Sequence, residues 1–175
     1  MPKSDKEIAH YVVDELNNVI NIDKFSNLIR RNFRCCTSHV KDIFYKLGRS
    51  LNYTVSPGMN GEFQNREWLY DLCWYIERDG KFIELKLALE SELSPGGSVN
   101  DAHLVDGDFQ KLVQSRAGVR VWLSALPNNY LMEIHIKNCK DQISLFNATV
   151  PGDIYIFAIF NWTTNKMIVE LYESP

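Results

Sequence analysis

The stretch REWLYDLCWYIERDGKFIELKLALESEL, residues 66–93, constrains the fold of this chain more than any other segment. Two runs of strand-like alternation meet at Asp79-Gly80, a dipeptide suited to the positive backbone angles of a two-residue hairpin turn. With Asp79 and Gly80 in the turn, Arg78 faces Lys81, and the register behind them follows. Asp71 then lies opposite Ala88, Leu69 opposite Glu90, Glu67 opposite Glu92, Cys73 opposite Lys86 and Tyr75 opposite Glu84. In the second strand Ile83, Leu85, Leu87, Leu89, Ser91 and Leu93 share one face. Glu84, Lys86, Ala88, Glu90 and Glu92 share the other.

That polar face carries two candidate chemical pairs, Glu84 with Lys86 and Glu90 with Glu92. Asp71 falls diagonally across from Glu90, about 7–8 Å between backbones, beside an alanine that leaves room. Glu84 lies four positions from Ala88, roughly 13 Å along the strand, too far to share one ion with Asp71. Asp71 and Glu90 are therefore the candidate metal ligands, with Glu92 next along the face. Crowded carboxylates call for solvation, a raised pKa, nearby cations or a bound hard metal ion. A solvated polar sheet face is the competing explanation. A bulge or a longer turn would transfer the role to Glu84 and Lys86.

The flanking segments read more simply. Ile8, Tyr11, Val12, Leu16 and Val19 repeat at helical spacing behind a Ser4/Glu7 capping box. A second helical stretch starts near Asp23, with a break around Cys35–Ser38 and Gly48 as its stop signal. SLNYTV is a strand, and SPGMNGE a turn. After a glycine-rich connection come a short helix near Asp106–Arg116, a strand over Val119–Leu126, a helix in NYLMEIHIKNCKDQISLF and a final hairpin. This order predicts an α/β or α+β fold, a mixed sheet flanked by helices. The expected organisation is a single domain over 1–175, with an N-terminal helix (1–24), a core (25–126) and a C-terminal helix and hairpin (127–175).

Composition narrows the function classes. The chain has 175 residues, 45% of them hydrophobic, enough for one sizeable core. A net charge of −3 gives no global basic field, so a nucleic-acid partner has to be held by a local patch. No segment approaches a membrane span, and the start of the chain is charged from Lys3, which predicts a cytoplasmic protein with no membrane partner. Cys35, Cys36, Cys73 and Cys139 lack CxxC spacing and read as buried reduced thiols. The histidines have neither zinc-like spacing nor triad partners. Trp68, Trp74, Trp122 and Trp162 fall in strand patterns and read as core or interface rather than base-stacking platforms.

An Asp on one strand and Glu-x-Glu on the next, preceded by helices and followed by a helix and a strand, resembles the PD-(D/E)XK (restriction endonuclease-like) nuclease superfamily. The resemblance covers roughly residues 25–126 and implies a restriction endonuclease-like core. It also implies Mg2+ (or Mn2+) dependent hydrolysis of phosphodiester bonds, with DNA the favoured substrate and 5′-phosphate ends. On that pattern Asp71 and Glu90 hold the metal, and Glu92 stands where a lysine is usual. Some members supply the lysine from the following helix, where this chain has Lys111. Arg66, Arg116 and Arg120 are the candidate phosphate contacts. Cutting both strands of a duplex would call for a homodimer. The absent strand lysine, and Tyr70 where proline is usual, leave open a noncatalytic nuclease-like binding or regulatory module.

Overall fold

A computed structural model describes residues 3–19, 33–56, 69–93 and 107–175. Ten elements follow in order: α1 (Asp5–Val19), α2 (Phe33–Ser50), β1 (Thr54–Ser56), β2 (Leu72–Arg78), β3 (Lys81–Glu92), α3 (Gly107–Gln114), β4 (Val119–Leu126), α4 (Asn129–Leu145), β5 (Ile154–Asn161) and β6 (Lys166–Glu173). The six strands form one mixed sheet in chain order. β1, β2 and β3 are an antiparallel meander, β3, β4 and β5 run parallel, and β6 turns back antiparallel on β5. The expectation of a mixed sheet flanked by helices is met.

Helices cover both faces. Ile8, Val12 and Leu16 of α1 and Val40, Phe44 and Leu47 of α2 pack with Leu72, Trp74, Leu87, Leu89 and Val121. Phe109, Leu112 and Val113 of α3 and Met132, Ile136 and Ile143 of α4 pack on the opposite face with Cys73, Ala88, Trp122, Tyr155 and Phe157. The two parallel connections, through α3 and α4, thus cover the same side. β4 and β5 are buried at every position, as strands covered on both faces must be, which is why they read as unbroken apolar runs. Among the described residues no helix is long and apolar enough to cross a membrane.

Several local expectations hold. Ser4 and Glu7 form the reciprocal cap of α1, with Glu7 N donating to Ser4 Oγ (3.3 Å) and Ser4 N donating to Glu7 Oε2 (2.8 Å). Asp79 and Gly80 take φ of 53° and 69°, the paired positive angles of the expected tight turn. Cys36, Cys73 and Cys139 are buried, and burial pushes the Cys73 thiol up to about 11. Trp74 and Trp122 are core residues, and Trp162 is half-buried.

Two expectations about α2 are corrected. The helix runs without interruption through Cys35–Ser38, because Cys36 and Val40 bury there and packing outweighs the weak helix propensity of Cys, Thr and Ser. It also passes through Gly48 to Ser50 and ends with Asn52 at φ 64°. A Cβ on Gly48 would meet the Trp74 indole at 2.6 Å, so this glycine admits a large ring. The ring is fixed there by Trp74 Nε1 donating to Phe44 O (2.9 Å). Asp23, Glu67, Trp68, His103, Arg66 and the glycine-rich connection lie outside the described residues.

Candidate functional site

The register at the turn is the expected one, with Arg78 opposite Lys81 and Glu77 opposite Phe82. It then slips twice. Ile76 pairs with Glu84 and Tyr75 with Leu85, leaving Ile83 as an extra residue; Trp74 pairs with Leu87, leaving Lys86 as another. Cys73 therefore faces Ala88 rather than Lys86, and Leu72 faces Leu89. Continued by one residue, the same register brings Asp71 level with Glu90, closer than the diagonal relation expected from a regular ladder. Asp71 itself sits just before β2.

The Lys86 bulge also reverses the faces. Beyond it, Ala88 lies against α3 and α4. Lys86 instead reaches α1, where its Nζ lies 2.6 Å from Asp5 Oδ1 and 2.8 Å from Glu84 Oε1. Gly118 leaves space for the Asp5 carboxylate, since a Cβ there would overlap it. The single polar face expected for β3 is thus divided, and the literal Glu-x-Lys, Glu84 and Lys86, is an ion-paired cluster with a helix. Bulging was expected to promote this pair; here the slip carries Asp71 the other way, toward Glu90.

Asp71 and Glu90 meet at the end of β3. Asp71 Oδ2 accepts from Ser91 N (2.9 Å) and Ser91 Oγ (2.7 Å), while Asp71 N approaches Glu90 Oε2 at 3.4 Å. Glu90 is only 4% exposed, and its Oε1 has no hydrogen-bond partner. Lys111 Nζ stands 3.6 Å from that oxygen, too long for a hydrogen bond, and is held by Asp108 Oδ1 at 2.5 Å. Burial first, and then the Asp71 charge, push the Glu90 carboxyl up to about 7. The burial follows from the fold: Glu90 is in register with Trp122, on which Phe109 of α3 packs edge-on at 5.5 Å between ring centroids. Lys111 belongs to the same helix, two positions after the buried Phe109 and one before the buried Leu112.

Sequence reasoning missed Lys41 and Ser91. Lys41 comes from α2, across the sheet from α3, and its Nζ lies 3.0 Å from Asp71 Oδ1. Ser91 was placed on the apolar face, where its hydroxyl role could not be read from alternation alone. Glu92 is half-buried, two residues beyond Glu90 and opposite Ser124 of β4. Arg116 is exposed just beyond α3. Arg120 is not available to a phosphate: it is buried, donates from Nη2 to Ser115 O (2.8 Å), and pairs through Nη1 with Asp153 Oδ1 (3.2 Å). Its side chain lies in register with Tyr155 on the α3 and α4 face, stacked over that ring at 5.0 Å. His135 is likewise structural, accepting from Trp122 Nε1 at 2.9 Å.

Among the described residues no three His, Cys, Asp or Glu side chains are grouped to hold a metal ion. Two carboxylates with an orphaned buried oxygen make a sparse oxygen donor set, the kind that suits Mg2+, which keeps waters and phosphate oxygens for the rest of its shell. No protein-family model, curated protein or solved structure matches this sequence.

Proposed function

We propose that the chain is a divalent-metal-dependent nuclease of the PD-(D/E)XK type, hydrolysing phosphodiester bonds of DNA at Asp71, Glu90 and Lys111. The carrying observation is Glu90: a buried carboxylate with an unpartnered oxygen, beside Asp71 on one side and Lys111 on the other. A buried carboxylate beside a second one is costly to ionise, and a cation shared with Asp71 offsets that cost. The element order supports the same reading, since helices, an antiparallel three-stranded meander, a helix and a strand parallel to the third strand is the order the resemblance calls for.

Bound between Asp71 and Glu90, a Mg2+ or Mn2+ ion would supply Lewis-acid polarisation of the scissile phosphate. Ser91 fixes Asp71 through two donors to Oδ2, which holds the carboxylate in a set orientation. Lys111, half exposed and tethered by Asp108, has the reach to turn its ammonium toward a phosphate oxygen and offset developing negative charge. Glu92, next on the strand, is the acceptor for the proton of the attacking water.

The test is cleavage of supercoiled plasmid and single-stranded DNA in Mg2+ or Mn2+. Asp71→Asn and Glu90→Gln should each abolish it, and Lys111→Met should reduce it by about 10²-fold or more. Cleavage that survives both carboxylate substitutions would sink the assignment. A noncatalytic nuclease-like module is the competing reading, favoured by the missing strand lysine and by Ser91 and Lys41 engaging both oxygens of Asp71. Binding of DNA without cleavage at any metal concentration would select it.

A further inference from the structure

The two oxygens of Asp71 are held in different ways. Oδ2 is fixed by the backbone and hydroxyl of Ser91, on the same strand as Glu90. Oδ1 is held by the ammonium of Lys41, at the end of a four-carbon arm from the helical layer on the other side of the sheet. The Lys41 and Asp71 side chains are 22% and 20% exposed, so the pair is reachable by ions from solvent. A divalent ion needs a carboxylate oxygen at about 2.0–2.1 Å for Mg2+, and a lysine ammonium cannot stay at contact distance beside it without strong repulsion. Lys111 does not impose the same exclusion, because it is 3.6 Å from Glu90 and has Asp108 as its closer partner.

We propose that Lys41 is a resident competitor cation: it occupies Asp71 Oδ1 in the metal-free protein and must leave that oxygen before a divalent ion loads between Asp71 and Glu90. The inference rests on the metal-binding reading of those two carboxylates. It makes Lys41 a regulator of loading, so that the site fills only when divalent ion is abundant enough to outcompete an intramolecular ammonium. The lysine also neutralises Asp71 in the empty site, limiting carboxylate repulsion next to Glu90.

The experiment is Mn2+ binding to the full chain at pH 8, followed by electron paramagnetic resonance, for the wild type, Lys41→Met, Lys41→Gln, Lys41→Arg and Asp71→Asn. Removing the competing charge should tighten Mn2+ binding about five- to tenfold in Lys41→Met and Lys41→Gln, the size expected for a partly exposed ion pair. Lys41→Arg, which keeps the cation, should stay near the wild type. Melting temperatures in EDTA establish that each variant is folded before its affinity is compared. Wild-type binding that Asp71→Asn abolishes but both neutral Lys41 variants leave unchanged or weaken would overturn the competitor role alone. Absence of binding to the folded wild type would remove the metal reading itself, and this inference with it.

Discussion

Glu90→Gln keeps the shape of the side chain and removes its titration, which makes it a direct probe of the buried carboxyl. The folded-state value is raised from 4.5 to about 7. Between those values the folded protein holds a proton that the unfolded chain has released, so wild-type stability falls as pH rises through the window. At about 1.4 kcal/mol per pH unit, the loss is about 3 kcal/mol, complete above pH 7 and absent below pH 4.5. The glutamine variant lacks this loss. Measured in EDTA by urea unfolding from pH 4.5 to 8.5, the stability of Glu90→Gln relative to the wild type should therefore climb by about 3 kcal/mol, or more than about 1 M in urea midpoint. The Lys111 charge and the weak Asp71 N contact, which oppose the shift, are already contained in the folded-state value, and only a pH-independent difference in packing cancels in this comparison. Asp71→Asn, which removes the second cause of the shift, should shrink the span when placed in both backgrounds. A stability difference that stays flat with pH would refute the reasoning that Glu90 is a buried, charge-crowded acid.

Other outcomes follow from the same geometry. Divalent-ion affinity should rise about tenfold per pH unit below pH 7 and level off above it, because binding displaces the Glu90 proton; calorimetric titrations at pH 6, 7 and 8 give the slope. Lys86→Met should leave cleavage at the wild-type rate below its melting temperature, since Lys86 pairs with Asp5 and Glu84, while costing about 1–3 kcal/mol of stability by stranding the buried Asp5 Oδ1. A cleavage defect in a folded Lys86→Met would restore the literal Glu-x-Lys. Gly48→Ala should destabilise by about 1–3 kcal/mol in chemical denaturation, because its Cβ meets Trp74 and Val55. The helix propensity of alanine opposes that effect by about 1 kcal/mol, so a net stabilisation would show that Trp74 can move aside.

The hairpin turn was legible because Asp-Gly dictates backbone angles locally, and β4 and β5 because uninterrupted apolar runs mark strands buried on both faces. The meeting of Asp71 and Glu90 was legible as a neighbourhood, although the pairing arithmetic placed Asp71 opposite Ala88. The two bulges left no mark, since Leu85, Lys86, Leu87 and Ala88 continue an alternation that looks regular on paper. The bulged Lys86 is ion-paired with Asp5, eighty-one positions away in the chain by residue number, and such pairs carry no local signature. Lys41 was invisible for the same reason: beside Val40 on an amphipathic helix it reads as a solvated lysine, and only the assembled sheet brings it to Asp71. Arg120 failed in the opposite direction, as a cation in a strand that is buried at every position, turned inward to Ser115 and Asp153.

The most direct test of a metal site at Asp71 and Glu90 is anomalous diffraction from crystals of the full chain grown at pH 8 and soaked in Mn2+. The expected result is one strong peak within coordination distance of Asp71 Oδ1 and Glu90 Oε1, absent from Glu90→Gln crystals treated in the same way. A fully soaked wild-type crystal with no peak between those oxygens, or with its Mn2+ at Glu84 instead, would contradict it.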